Sequence, residues 1–193
     1  MSRALDVVLA ALLMVLAAPL LVLAAIAIRL ESRGPVVYRQ LRVGLHGRSF
    51  ELWKLRTMVS GAEEMGAGIY VLEGDPRITR VGRLLRRFSL DELPNLVNVL
   101  RGEMAIVGPR PTVQEQVDRY TDRQRLRLAV KPGITGWAQV HGRTSLPWPE
   151  RIELDVWYVE HRSLALDLRI LLRTARLLLT GRGLYSDTLR QGW

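Results

Sequence analysis

Two adjacent carboxylates, Asp91 and Glu92, lie in the segment of this 193-residue chain with the clearest potential for chemistry. The segment reads Ser-Leu-Asp-Glu-Leu-Pro-Asn, and Pro94 predicts that a helix begins close to Asp91, because proline is best tolerated in a first helical turn. The positive end of a helix favours ionised carboxylates, which suit a nucleophile or a magnesium ligand. A purely structural interpretation is also open, since Ser89 and Glu92 have the spacing of a capping box and acidic residues are common in first helical turns.

Several cations lie in segments that could face a phosphate. Arg110 stands between Pro109 and Pro111, so a stiff backbone presents its guanidinium either to a phosphate or nucleotide or simply to solvent. Lys131 opens a second loop rich in glycine and proline. Asp155 lies in a segment with a helical pattern, where a lone acid is usually a surface or salt-bridging residue. The cations that could converge on a diphosphate are Lys54, Arg86, Arg110, Lys131 and Arg143.

The elements that must position these residues start with an apolar N-terminal segment. Residues 7–28 are all apolar, alanine or proline, and at ~1.5 Å per residue they would reach about 33 Å, enough to cross a hydrocarbon core of ~30 Å. A signal peptide is the alternative, although its apolar stretch is usually only ~7–15 residues long. Pro19 predicts a kink. Because Arg3 and Arg29 flank the two ends, the positive-inside tendency favours a helix that enters and returns, while a kinked spanning helix stays open.

A second membrane candidate is the segment 164–180. Its leucines share one broad helical face, whereas Arg169, Arg173 and Arg176 cluster on another. Such a helix can lie in the membrane interface, with leucines among the acyl chains and arginines at the phosphates. An ordinary core-facing helix is the alternative, and the apolar N-terminal segment favours the membrane.

The net charge of the chain indicates which classes of partner it can bind. Twenty-eight Lys and Arg against nineteen Asp and Glu give a net charge of +9, which favours phospholipid head groups, nucleic acid or phosphorylated substrates. The chain has no cysteine, which excludes disulfides and thiolate metal sites. No nucleic-acid-binding motif accompanies the charge, so lipid and phosphorylated substrates are preferred.

Four separated motifs, taken in order, resemble those of the monotopic bacterial phosphoglycosyl transferases. They are Lys-Leu-Arg-Thr-Met at 54–58, Arg-Arg-Phe-Ser-Leu-Asp-Glu-Leu-Pro-Asn at 86–95, Val-Gly-Pro-Arg-Pro at 107–111, and the segment 131–142. The resemblance implies an α+β, membrane-associated single domain with an N-terminal re-entrant helix, amphipathic interfacial helices and a small β-sheet. It divides the chain into a re-entrant membrane helix (1–30), a membrane-apposed cytoplasmic catalytic domain (31–185) and a C-terminal tail (186–193).

The resemblance also implies a reaction. In this family the aspartate of the dyad, here Asp91, attacks the sugar-bearing phosphate of a UDP-sugar and expels UMP; undecaprenyl phosphate then takes the phosphosugar. Glu92 and a Mg²⁺ ion held by both carboxylates would assist, and the helix would bend at Pro19, which follows Ala18 where the family has serine. The substrate-binding residues implied by position are Lys54, Arg86, Pro109, Arg110, Pro111, Lys131, Arg143 and Asp155.

The partners implied by the resemblance are a UDP-sugar, undecaprenyl phosphate and membrane phospholipid, without nucleic acid and with a homodimer allowed. The expected location is the cytoplasmic face of the bacterial inner membrane, at the first membrane step of glycoconjugate synthesis. Two other functions stay open: a catalytically inactive membrane scaffold of the same fold, and a membrane-tethered nucleic-acid-binding protein.

Overall fold

A 29-residue helix, α1 (Arg3–Glu31), opens the computed structural model, which describes residues 1–65, 74–142 and 146–180. Within those ranges it is the one helix long and apolar enough to cross a membrane, with a mean hydropathy of 2.9 over its most apolar 18 residues. Its middle is uncovered, since Val15 and Leu16 are 72% and 66% exposed. The helix is unbroken across Pro19, so the bend predicted there stays a prediction.

Short strands and helices follow α1. The strands are β1 (Val37–Val43), β2 (Ser49–Leu55), β3 (Ala105–Val107) and β4 (Gly133–Thr135). The helices are α2 (Arg80–Arg87), α3 (Asn95–Arg101), α4 (Gln114–Val117), α5 (Asp122–Arg125), α6 (Trp137–Val140), α7 (Trp148–Glu160) and α8 (Leu164–Thr180). The α+β class is confirmed, whereas the predicted tail 186–193 lies outside the described residues.

The strands form two separate two-stranded sheets where the sequence predicted one small sheet. Strands β1 and β2 make an antiparallel hairpin in which Tyr38 lies opposite Lys54. Strands β3 and β4 are parallel, with Ala105 opposite Gly133. An asparagine side chain, and not a third strand, pairs with the outer edge of β2.

That side chain belongs to Asn98 on α3, which is fully buried. Its amide nitrogen donates to the carbonyl oxygen of Glu51 at 2.6 Å, and the backbone N–H of Trp53 donates to its amide oxygen at 3.1 Å. Asn98 therefore satisfies two backbone groups that a neighbouring strand would otherwise pair. This contact fixes α3 against β2, which carries Lys54.

The beginning and the end of α1 both pack against the folded domain that follows it. Near its start, Asp6 accepts a hydrogen bond from the backbone N–H of Ile106 at 3.0 Å. At its end, Glu31 accepts hydrogen bonds from the backbone N–H groups of Arg80 at 2.6 Å and Val81 at 2.9 Å, and so satisfies free donors in the first turn of α2.

Apolar side chains also pack against α1 in two separate clusters, one near its beginning and one near its end. The main core joins the first part of α1 to α3, β2, β3, α7 and α8, and its buried members are Ala10, Phe50, Leu52, Leu96, Val99, Met104, Ile106, Val107, Tyr158, Leu166 and Ile170. A second cluster joins the last part of α1 to β2 and α2 through Ala24, Ile28, Leu55 and Leu85. The segment of α1 between these two clusters is the exposed apolar stretch.

We expect Asn98→Ala to lower the free energy of unfolding by about 3 kcal/mol, because it leaves two partly buried backbone groups without their partner. Thermal unfolding of the detergent-solubilised protein measures the change. Gln114→Ala is the control, since that exposed side chain bonds a neighbouring surface residue, Asp118, and the effect should lie within about 0.5 kcal/mol. Equal midpoints for the two variants would contradict the role given to Asn98.

Candidate active site

The two carboxylates lie in a tight turn between α2 and α3. A 3₁₀ turn, Leu90–Glu92, carries both acids, and α3 begins at Asn95 with Pro94 as its N-cap. The helix therefore starts slightly later than the sequence predicted. Ser89 adopts a left-handed backbone conformation (φ 54°) and its side chain makes no capping hydrogen bond, so the capping-box alternative is wrong.

Glu92 is held by two cations. The ammonium of Lys54 lies 3.0 Å from its Oε1. The guanidinium of Arg110 contacts both carboxylate oxygens, at 2.5 Å to Oε1 and 3.2 Å to Oε2. Burial alone would raise the pKa of Glu92, but Arg110 and Lys54 overcome that effect and hold the pKa well below its usual range. Glu92 is thus a fixed anion that brings the loop after β3 to the end of β2.

Asp91 has a different environment, although it is the next residue. Its side chain is buried, and within residues 1–65, 74–142 and 146–180 no group donates a hydrogen bond to its carboxylate. Burial and the adjacent charge of Glu92 raise its pKa, against the opposing charges of Lys54, Arg86 and Arg110. Asp91 is therefore the more basic carboxylate of the pair.

Arg86 reaches this turn from the last turn of α2. Its Nε donates to the hydroxyl of Thr57 at 2.7 Å, and its charge acts on Asp91. A close approach of backbones fixes α2 there, because a Cβ on Gly82 would lie 2.0 Å from the carbonyl oxygen of Thr57. Glycine is consequently required at position 82.

The Pro109-Arg110-Pro111 loop is held from behind by a buried ion pair. Arg127 donates to Oδ2 of Asp155 at 2.6 Å and 3.1 Å, and both side chains are 2% exposed. The same guanidinium donates to the carbonyl oxygen of Arg110 at 2.8 Å. Asp155 thus lies behind the Arg110 loop, and it reaches the site through Arg127, a residue that the sequence reasoning missed.

The loops that contain the third and fourth sequence motifs, at 107–111 and 131–142, contact each other at Gly133. The backbone N–H of Gly133 donates to the carbonyl oxygen of Pro109 at 2.9 Å. A Cβ on Gly133 would lie 2.1 Å from the backbone nitrogen of Gly108, so no other residue allows this approach. The Gly133 contact brings the segment 131–136 against the Arg110 loop.

Lys131 is not brought to the carboxylates. The ammonium of Lys131 lies beside Gly102, near the guanidinium of Arg3, which places it at the end of α3 remote from Glu92. Cations are favourable there because a helix C-terminus carries unpaired carbonyl groups. Arg143 lies outside the described residues.

The hairpin supplies a cation that the sequence reasoning did not identify. Arg42 on β1 lies close enough to Arg110 and Glu92 for their charges to act on it. The sequence pattern is compatible with this position of Arg42, because Tyr38, Gln40 and Arg42 alternate along β1 and so share the face that lies beside Lys54 on β2.

Comparison with known proteins identifies the family. Residues 1–181 match the model of the bacterial sugar transferase family, so the chain belongs to that family and the resemblance predicted from the motifs is confirmed. It is 49% identical over 193 residues to the UDP-glucose:undecaprenyl-phosphate glucose-1-phosphate transferase of Caulobacter vibrioides, covering 95% of this chain and 72% of that protein.

Two further relatives differ in length. The uncharacterized sugar transferase EpsL of Bacillus subtilis is 42% identical over 184 residues, which cover 95% of this chain and 90% of EpsL. The UDP-N-acetylgalactosamine-undecaprenyl-phosphate N-acetylgalactosaminephosphotransferase of Aeromonas hydrophila is 41% identical over 188 residues, which cover 94% of this chain but only 44% of that protein. The similarity thus extends over nearly the whole chain.

We expect Arg127→Met to lower the free energy of unfolding by about 3–5 kcal/mol, because it leaves the buried Asp155 without its cation. Arg123→Met is a matched control, since Arg123 pairs with Glu153 and Glu160 on the same helix, α7, but at the exposed surface, where ion pairs contribute little. The measurement is the thermal unfolding midpoint in detergent. Similar shifts for both variants would show that the pair does not support the Arg110 loop.

Proposed function

We propose that this phosphoglycosyl transferase moves a sugar-1-phosphate from a UDP-sugar to undecaprenyl phosphate, with Asp91 as its covalent nucleophile. The observation that carries the proposal is the contrast within the dyad: Glu92 is bound by two cations, while Asp91 receives no hydrogen bond from the described residues. The names of the Caulobacter and Aeromonas relatives supply the substrate classes.

In the first step a carboxylate oxygen of Asp91 attacks the phosphorus that carries the sugar. A bond from Asp91 to phosphorus forms, the bond from phosphorus to the bridging diphosphate oxygen breaks, and UMP leaves with the electron pair. The raised pKa of Asp91 makes it a better nucleophile once ionised. Lys54 and Arg110 neutralise Glu92, and Arg86 adds a positive charge beside the attacking group, so the repulsion of an incoming diphosphate is reduced.

In the second step an oxygen of undecaprenyl phosphate attacks the same phosphorus, and the bond to Asp91 breaks. The product is an undecaprenyl diphosphate sugar, and the carboxylate is restored. An acceptor with a polyprenol chain cannot leave the bilayer, so the site must lie at the membrane surface. A water-soluble donor can reach the same surface from the cytoplasm.

Magnesium belongs to the proposal as well. Asp91 and Glu92 would hold it, and the donor set fits, because Mg²⁺ commonly takes one or two protein carboxylates together with substrate phosphates and water. No group of three candidate metal ligands occurs in the described part of the chain, so phosphate oxygens would have to complete the coordination. When bound, the ion would offset negative charge at the transferring phosphate.

The proposal places α1 in the membrane as a re-entrant helix on the cytoplasmic side. Asp6 and Glu31 bond backbone amides of one folded domain, whereas a straight helix over that distance would span ~38 Å and separate its ends across the bilayer. The exposed apolar middle, with Val15 at 72%, would enter the hydrocarbon. Pro19 lies inside that stretch and supports a bend there.

Exposed apolar side chains on two other helices support an interfacial placement of the domain. On α8, Leu164, Leu168 and Leu172 are exposed, while Leu166 and Ile170 face the core. The helix therefore has a core face and a separate uncovered leucine face. Leu84 and Phe88 at the end of α2 are also exposed, close to the turn that carries Asp91.

We expect purified wild-type protein to release UMP from at least one UDP-sugar when undecaprenyl phosphate and Mg²⁺ are present, and Asp91→Asn to reduce the rate at least about 1000-fold. A panel of UDP-sugars with detection of UMP provides the measurement. Asp122→Asn, an exposed acid at the start of α5, should keep the wild-type rate.

An absence of UMP with every donor would end the enzymatic proposal. An undiminished rate in Asp91→Asn would show that another group is the nucleophile. A protein whose cellular role survives Asp91→Asn would be the inactive scaffold.

The absence of native cysteine permits a test of topology by single-cysteine labelling. We expect a membrane-impermeant maleimide to label Ala4→Cys and Leu30→Cys in inverted membrane vesicles and not in intact spheroplasts, because both ends of α1 should face the cytoplasm. Val15→Cys, in the apolar middle, should react only after detergent solubilisation. Labelling of one end from outside would show that α1 spans the bilayer.

A further inference from the structure

One face of β1 is directed toward the dyad. Side chains alternate along a strand, so Tyr38, Gln40 and Arg42 share a face. Tyr38 is directly opposite Lys54 on β2, and residues opposite each other in an antiparallel pair project to the same side. Since Lys54 binds Glu92, this face continues the candidate site along the hairpin.

Arg42 is a cation without an acidic partner. Its Nη2 donates to the neutral side-chain oxygen of Gln40 at 2.5 Å, and its buried Nε has no hydrogen-bond partner in the described residues. No carboxylate of residues 1–65, 74–142 or 146–180 lies within ion-pair distance of it. By contrast, the neighbouring cations Lys54 and Arg110 both bind Glu92.

The surroundings of Arg42 are short of negative charge. Burial and the nearby charge of Arg110 lower the pKa of Arg42 to about 10, although Tyr38, Glu92 and Glu63 act in the opposite direction. The guanidinium is still protonated at neutral pH, but its charge is incompletely compensated. An incoming anion would supply the missing compensation and a hydrogen-bond acceptor for Nε.

A second incompletely paired guanidinium lies near the other carboxylate. Arg86 bonds the hydroxyl of Thr57 and no carboxylate within the described residues, and its charge acts on Asp91 and on Tyr38. Arg42 acts on the same tyrosine. Two guanidiniums with neutral partners therefore lie around Tyr38, Arg86 close to Asp91 and Arg42 close to Glu92.

We propose that Arg42, oriented by Gln40, forms a phosphate-binding subsite beside Glu92 and Arg110 and takes a phosphate oxygen of one substrate. This inference rests on the proposed function. The shared chemistry is a phosphate oxyanion, which both the diphosphate of the nucleotide sugar and the head group of the lipid acceptor provide. A planar fork of N–H donors suits either one.

Steady-state kinetics of UMP release distinguish the two possible sources of the bound phosphate, the nucleotide sugar and the lipid acceptor. In one series the UDP-sugar is varied at saturating undecaprenyl phosphate, and in the other the lipid is varied at saturating UDP-sugar. Arg42→Met should raise one of the two KM values about tenfold or more, the loss expected for a charge-assisted hydrogen bond. A raised KM for UDP-sugar identifies the donor diphosphate as the ligand, and a raised KM for the lipid identifies the acceptor phosphate.

Arg39→Met is the matched control. Arg39 is an arginine of the same strand on the opposite face, stacked 4.4 Å over the Trp53 ring, and both KM values should stay at wild-type levels. Arg42→Lys keeps the charge but loses the fork, so its KM should fall between those of wild type and Arg42→Met. Because that variant is the milder change, it also tests the subsite if Arg42→Met fails to fold.

The outcomes separate this inference from the proposed function. If wild-type protein releases no UMP, the proposed function fails first and the subsite with it. If wild type is active and both Arg42 variants keep the two KM values of Arg39→Met, the proposed function stands and the subsite is refuted. A fall in kcat with both KM values unchanged would also refute it, because binding would not depend on Arg42.

Discussion

The contact on which the site depends is the anion of Glu92 held between Lys54 and Arg110. It joins three segments that are distant in sequence: the end of β2, the turn before α3 and the loop after β3. Because Glu92 is neutralised by fixed cations, its neighbour Asp91 can remain a buried carboxylate without a hydrogen-bond donor among the described residues. Adjacent carboxylates repel each other, and here the surrounding charges lower one pKa and leave the other raised.

The two cations of this contact lie on segments that are each positioned by a buried polar group. Asn98 ties α3 to the β2 strand that carries Lys54. The pair of Arg127 and Asp155 supports the carbonyl oxygen of Arg110. Buried ion pairs and buried amides tolerate few alternative geometries, because an unpartnered member is costly. The side chains of the candidate site therefore rest on an inner layer of buried polar residues.

The same domain holds both ends of an apolar helix, and this arrangement relates the site to the bilayer. Asp6 and Glu31 bond backbone amides of the folded domain, while the residues between them expose apolar side chains. The exposed Leu84 of α2 and Phe88 after it add apolar surface near the turn of Asp91, and exposed leucines on α8 add more on another helix. A membrane-bound acceptor would meet a soluble donor at such a surface.

The sequence by itself determined what depends on neighbouring residues and on ordered motifs: the apolar length of α1, the dyad, the stiff Arg110 loop, the α+β class and the family. The tertiary structure alone decided which charges meet. Arg42, absent from the sequence reasoning, lies near Glu92, Lys131 lies at the other end of α3, and Asp155 pairs with Arg127 behind the loop. A single sequence shows that a side chain is charged, but its partner is chosen by how helices and strands pack. Residues 28 positions apart, such as Arg127 and Asp155, become neighbours only when that packing is complete.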